Sequence, residues 1–285
     1  MTVHGRRVPD RLDADDVPGH AWRGWCLLRP GLLLYGGTVG RNEPHAHHAV
    51  QLIVAAEPFT MADARGERVT TRVAVVPPDT GHTVLAGAHE ALLAHLDPRS
   101  SAGRSLLARS GAGPRASSWS PSATRNGSPP AADDCGGRRP LMFAPPPPDH
   151  TRSTEAASAL RTVEAWSGHS GTADALPHPA VEAAIAVIPA LLPSGQVRLR
   201  AVADAVHLSP SRLAHLFSAD VGIPLRPYVR WLRLRRAIDR VAAGETLTSA
   251  AHTAGFTDGP HFTRAFRRTF GNTPSELAAA IDWLP

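Results

Sequence analysis

The run GFTDGPHFTRAFRRTFGNTP, residues 255–274, sets out a turn residue, a cap and an amphipathic helix in that order. Gly255 suits a sharp interhelical turn, because it reaches left-handed backbone angles without a Cβ clash. Asp258 is an N-cap candidate, and Pro260 sits just inside the helix start. Phe262, Ala265, Phe266 and Phe270 then fall on one face at helical spacing. Upstream, Leu247, Ala250, Ala251 and Ala254 make the apolar face of a shorter partner helix. The same order occurs once before. Val202, Ala203 and Val206 form an apolar face, His207-Leu208 breaks it, Ser209 caps, Pro210 follows, and Leu213, Leu216 and Phe217 continue until Gly222. Between the two pairs, Leu225 to Ala243 predicts a longer helix with Leu234, Ile238 and Val241 on one face and Gly244 as its stop. About 19 residues span roughly 28 Å, which approaches the ~34 Å between successive major-groove faces on one side of a duplex.

A helix, a tight turn, a cap and a second helix with arginines on its outer face can push that second helix into a major groove. The cap satisfies orphan N–H groups and leaves the positive helix end near phosphates. One such pair is weak evidence, since αα-hairpins are common; two in tandem on one connector are strong evidence. On the first outer helix, Ser211, Arg212 and His215 lie opposite the apolar stripe. On the second, Gly259, His261, Arg264, Arg267 and Arg268 do so. Arg264 is the candidate guanine reader, because a guanidinium matches O6 and N7 bidentately. Arg212, Arg267 and Arg268 suit phosphates.

These residues resemble the AraC/XylS-type transcription regulators. Ala203, Leu208-Ser209, Phe217, Gly222, Tyr228, Arg233-Leu234, Ala254-Gly255-Phe256, Asp258, Phe262, Phe266, Gly271 and Pro274 carry the match, which covers roughly the last hundred residues. The resemblance implies that Ser211, His215, Gly259, Pro260 and Arg264 face bases. It also implies an N-terminal sensor domain for a small effector, with RNA polymerase and a second copy of the chain as further partners. Two positions depart from the pattern. His207 stands where the family usually has Gly, so a left-handed backbone there costs about 1 kcal/mol. His215 stands where it often has a base-reading Arg, which counts against bidentate guanine reading by the first unit.

At 285 residues with a formal charge of +5, the chain has room for two cores and a modest positive excess compatible with nucleic acid. Every basic residue is Arg. Cys26 and Cys135 form neither a disulfide framework nor a zinc motif. No apolar run reaches the ~18 residues of a membrane span. Arg6-Arg7 are followed by Asp13, Asp15 and Asp16 rather than an apolar signal core. The expectation is a cytoplasmic protein without a membrane partner.

From Trp22 to Leu96 short apolar runs alternate with turn residues: WRGWCLL (22–28), LLLYGG (32–37), VQLIVAA (50–56), RVAVVPP (72–78), TVLAG (83–87) and ALLAHL (91–96). They predict antiparallel strands. PHAHHAVQLIVAAE (44–57) and VVPPDTGHTV (75–84) resemble the small β-barrel of the cupin type. By the period of two, His45, His47, Ala49, Gln51 and Ile53 share a face, His48 points away, and His82 converges on the same interior. In metal-binding cupins the positions of His45, His47 and His82 are ligands, with Glu expected near Gln51; a neutral amide is a poor substitute. We therefore expect no resident cofactor or metal and an effector pocket anchored by His45, His47, Gln51 and His82.

The predicted organisation is α+β and multidomain. Residues 1–20 form a flexible N-terminus, residues 21–97 a cupin-like β-barrel, and residues 98–175 a low-complexity linker. That linker contains a polyproline spacer and a helix at 154–166 whose stripe (Ala156, Leu160, Val163, Trp166) packs on the barrel or on a second subunit. Residues 176–285 form an all-α DNA-binding domain, in which a helix over 179–192 interrupted by Pro189 buttresses the first pair. Double-stranded DNA is the expected partner, and no catalytic residue is assigned. Two rivals stand beside this reading: a metal-dependent cupin-type enzyme fused to a DNA-binding domain, and an effector-independent regulator whose barrel serves dimerisation.

Overall fold

The computed structural model describes residues 21–29, 31–121, 150–168, 178–192 and 197–284. The six apolar runs become β1 (Arg23–Arg29), β2 (Leu32–Val39), β3 (Val50–Asp63), β4 (Arg68–Val76), β5 (His82–Ala86) and β6 (Ala88–Leu96). They pair antiparallel in the order β4-β3-β6-β2-β1. β3 makes the sheet curl. Along one side it pairs with β4; on the other it pairs with β6 through Val50–Ala55 and with β5 through Thr60–Asp63. The register shifts between Val54 and Phe59, an irregularity that bends the strand and lets it change partners.

At the centre of the sheet both faces are buried, which is why β3 and β6 read as nearly unbroken apolar runs, whereas the first part of β4 is open to solvent. Val50, Leu52, Val75, Ala94 and Leu96 face outward onto two helices, α1 (Ser101–Ser110) and α2 (His150–Ser167). Tyr35, Ile53, Phe59, Met61 and Leu93 face the curled interior. The alternation between these sets is the pleat itself.

The linker expectation for residues 98–175 fails in two places. Ser100 caps α1 by accepting from the Gly103 N–H, and Gly111 ends the helix at φ 63°. After a 3₁₀ turn at Ala116–Ser118, Trp119 is fully buried in the sheet interior, and its carbonyl accepts from the Val75 N–H at 2.9 Å. Composition hid this segment because Leu106 and Trp119 fill their sites almost alone among Ser, Gly and Arg. α2 is also longer than the expected 154–166, and it spends its apolar stripe on its own sheet. Residues 1–20, the polyproline spacer and Cys135 lie outside the described residues.

The helical half comprises α3 (Pro179–Leu191), α4 (Leu199–Ala205), α5 (Pro210–Val221), α6 (Leu225–Ala242), α7 (Leu247–Thr253), α8 (Gly259–Phe270) and α9 (Pro274–Ala278). It is not purely helical. A seventh strand, β7 (Ile281–Leu284), pairs parallel with β1, from Gly24↔Ile281 to Leu27↔Leu284. Four residues carry no readable strand period, and only the free edge of β1 makes them a strand. The helices divide between two cores. Leu213 and Phe217 pack with α3, α4 and the start of α6. Phe262, Phe266 and Phe270 pack with Leu234, Ile238 and, from the sheet domain, Ala49, Leu28 and Leu33. Ala49 therefore leaves the face assigned to it beside His45, because the chain before Val50 is not yet a strand. Among the described residues no helix is long and apolar enough to cross a membrane.

Candidate DNA interface and histidine pocket

His45 and His82 face each other across an isolated antiparallel bridge, each backbone N–H donating to the other's carbonyl at 2.9 Å. Asp79, in left-handed backbone at φ 57°, ties the two loops further by donating its N–H to the His47 carbonyl and pairing with the His48 ring. Ring nitrogens of His45, His47 and His82 converge to within 4.8 Å of one another. The Gln51 amide sits among them, one terminal atom lying 2.6 Å from His47 Nε2 and 2.9 Å from His82 Nε2. His82 Nδ1 lies 2.8 Å from the Thr80 carbonyl, and His45 Nδ1 lies 2.8 Å from the Glu43 carbonyl. A carbonyl only accepts, so both Nδ1 atoms carry protons and a neutral ring leaves Nε2 as an acceptor. Burial enforces neutrality. It drives His45 down to about 3, lowers His47, and holds His82 and His95 well below the ordinary histidine value. Neutral rings thus place the Gln51 amide nitrogen, a donor, against His47 and His82.

Of the sequence-assigned pocket residues, His45, His47, Gln51 and His82 do come together, and His48 points away as read. His95 was missed. Its ring centroid lies 4.4 Å from that of His47, and β3–β6 register sets it directly opposite Gln51. The alternation Leu93, His95 against Ala94, Leu96 carried the signal, but only the register names the partner. As a metal test, ring nitrogens of the three histidines lie close enough together for a divalent ion held by imidazoles. Gln51 brings no negative charge and already bridges two of the three.

The two helix pairs are built alike. In each, a seven-residue helix (α4, α7) leads through a left-handed residue to a capped twelve-residue helix (α5, α8). Ser209 Oγ accepts from the Arg212 N–H at 3.2 Å, and Asp258 Oδ1 accepts from the His261 N–H at 2.6 Å. Gly222 and Gly271, at φ 85° and 72°, stop the two helices. Ser211, Arg212 and His215 are exposed on α5; Gly259, Pro260, Arg264, Arg267 and Arg268 are exposed on α8. His261 is half-buried, its ring bonded to Thr257 Oγ1 at 3.0 Å and packed on Phe256, so it supports the helix start. Arg264 makes no ion pair among the described residues, whereas Arg267 Nε lies 3.7 Å from Glu43 Oε2.

A helix-turn-helix domain family matches residues 202–280, spanning both pairs. The bifunctional transcriptional activator/DNA repair enzyme Ada of Escherichia coli (strain K12) is 35% identical over 81 residues, 28% of this chain and 23% of that protein. The arabinose operon regulatory protein of the same organism is 32% identical over 85 residues, 30% of this chain and 29% of that protein. Residues 202–280 are an AraC-type helix-turn-helix domain. The chain spans less than a third of the length of these curated relatives. Over the whole chain, apo ToxT from Vibrio cholerae shares the fold, with a TM-score of 0.50 at 9% identity, covering 88% of this chain and 98% of that one.

The AraC-type domain docks on the histidine loop through the end of α8. Glu43 N–H donates to the Gly271 carbonyl at 2.9 Å, and Ala46 N–H donates to the Arg268 carbonyl at 3.3 Å. Contact is close enough that a Cβ on Gly271 would stand 2.5 Å from the Glu43 oxygen and 2.8 Å from His45 Nδ1. Phe270 completes the junction, 6.0 Å from the His95 ring. The outer helix of the second unit and the histidine pocket therefore share one wall.

Proposed function

We propose that this protein is a sequence-specific transcription regulator that binds double-stranded DNA through the AraC-type domain and senses a small effector with the sheet domain. The observation that carries the reading is the repeated capped helix pair with exposed arginines on α8. α6 has eighteen residues, about 27 Å of helix, which suits two units entering successive major-groove faces. Arg264 is the base reader, and Arg212, Arg267 and Arg268 hold phosphates. A signal reaches α8 through the Glu43–Ala46 loop, since anything that moves His45 moves the Gly271 junction. RNA polymerase and a second copy of the chain are the remaining partners of the reading.

The metal-dependent enzyme reading draws on the three convergent histidine rings, and the neutral Gln51 amide weighs against it. A repair-type reactive cysteine finds no support at Cys26, whose thiol is buried and pushed up to about 12 by that burial. In vitro selection of random duplexes with the full chain tests the proposal. The isolated helical half is unsuitable, because removing the sheet would strip β7 from β1 and uncover the second core. Two half-elements about one helical turn apart are expected; no enrichment at low or moderate salt would sink the sequence-specific reading.

A further inference from the structure

The loop that carries His45 also brings a carboxylate to the outer face of α8. Glu43 Oε2 lies 3.7 Å from Arg267 Nε, and both side chains are half-exposed. As a stabilising pair it contributes little, because water screens both charges. Its consequence is for Arg267. Among the described residues Arg264 and Arg268 make no ion pair, so of the outer arginines on α8 only Arg267 reaches DNA already holding an anion.

The carboxylate cannot leave with its loop, because the loop is pinned. Glu43 N–H is spent on the Gly271 carbonyl, and the Glu43 carbonyl accepts from His45 Nδ1 at 2.8 Å. Ala46 N–H holds the Arg268 carbonyl, a second bond to the last turn of α8. A further tie lies beyond α9. Gly24 N–H donates to the Ala280 carbonyl at 3.1 Å, β7 runs along β1, and Asp282 pairs with Arg152 of α2 at 2.6 Å. When α8 enters a groove, Glu43 therefore travels with it. Duplex DNA carries one negative charge per about 1.7 Å of its axis, so the carboxylate arrives beside phosphates.

From this placement we propose that Glu43 is a residue of the DNA interface supplied by the sheet domain: its carboxylate holds the seat on Arg267 that a phosphate takes, and thereby lowers affinity for every duplex alike. The inference rests on the regulator reading above and adds to it a residue outside the helix-turn-helix units. Binding moves the Arg267 guanidinium from the Glu43 carboxylate to a phosphate and leaves like charges close together; both changes oppose association. Sequence preference is untouched, since a phosphate contact carries no base information. His45 links this hold to the pocket, because a change that shifts its ring shifts the Glu43 backbone and with it the affinity for DNA. Pocket state and DNA then act on each other by the same factor.

The test measures binding of the full chain to a labelled duplex of random sequence, by fluorescence anisotropy over a series of KCl concentrations. Glu43→Gln keeps the shape of the side chain. It is expected to tighten binding by about three- to tenfold at low salt and to steepen the salt slope by up to about one unit, the gain fading as salt rises. In an Arg267→Ala background the same replacement gains less than about twofold, because the seat is gone. Glu276 is the control for net charge. It lies within electrostatic reach of Arg267, but its carboxylate is held by the Thr273 N–H at 2.7 Å, and Glu276→Gln keeps that cap. Its gain is expected to stay below about twofold. Equal gains from Glu43→Gln and Glu276→Gln, or a Glu43→Gln gain that survives Arg267→Ala, would overturn the proposal. Duplex binding by the wild type with no gain from Glu43→Gln defeats the Glu43 role alone, whereas no duplex binding by the wild type or any variant defeats the regulator reading and the role with it.

Discussion

Replacing His207 by glycine should stabilise the first helix pair. α4 ends at Ala205 with Val206 as its C-cap, after which His207 N–H donates to the Asp204 carbonyl at 3.3 Å and Leu208 N–H reaches back to the Ala203 carbonyl at 2.9 Å. That pair of bonds requires a left-handed residue between them, and His207 supplies it at φ 56°. The equivalent turn in the second pair uses Gly255 at φ 86°, with Phe256 N–H donating to the Ala251 carbonyl at 3.0 Å. A side chain in left-handed backbone costs about 1–2 kcal/mol, and glycine forfeits about 0.5–1 kcal/mol through its freer unfolded chain. The difference favours His207→Gly by about 0.5–1 kcal/mol. His207 is exposed, so little packing is lost. His207→Ala keeps the Cβ and should gain nothing. Urea unfolding followed by far-ultraviolet circular dichroism reads the midpoint at constant slope. A His207→Gly midpoint at or below wild type, or an equal gain from His207→Ala, would refute the strain argument. Gly255→Ala is the opposite case: its Cβ would stand 2.5 Å from the Leu192 carbonyl oxygen, and a loss above about 1 kcal/mol is expected.

Other outcomes follow from the same geometry. Arg264→Ala should weaken specific DNA binding by about 1–3 kcal/mol and relax one base position; an unchanged preference in a selection would remove its reading role. Arg267→Ala should weaken binding to all duplexes alike and make the salt slope shallower by about one unit, and a loss confined to one sequence would contradict the phosphate role. Acid should destabilise the pocket. Folded His45, His47, His82 and His95 resist protonation, whereas the unfolded rings take up protons near pH 6.5. Their contribution is full above that pH and falls as pH drops towards 5, by about 1.4 kcal/mol per pH unit per histidine. A flat stability profile over that window, or one no shallower in His95→Phe, would count against neutral burial. Gln51→Glu should destabilise the metal-free protein and recover stability with zinc, since the carboxylate supplies the missing anionic ligand; calorimetry showing no zinc response would show that the three histidines are not arranged for a metal.

The parts legible in the sequence were those decided within a few residues. Ser209, Asp258 and Gly222 announce caps and a stop because their effect is on their own backbone neighbours, and the phenylalanine spacing of α8 marks its buried face. Six strands were legible for the same reason, each being an apolar run between turn residues. His45, His47, Gln51 and His82 could be gathered from motif spacing, although the chain before Val50 is not a strand and Ala49 turns towards the helices.

The chain by itself therefore determined a strand-rich N-terminal half, two capped helix pairs and the arginines they expose, because short-range hydrogen bonds and periodicity set all of these. Only the tertiary structure decided that Trp119 fills the sheet interior, that His95 stands opposite Gln51, that Ile281–Leu284 joins β1, and that α8 closes on the histidine loop. Each of these depends on a partner distant in the chain, where register and packing choose among many pairings that local sequence leaves equal.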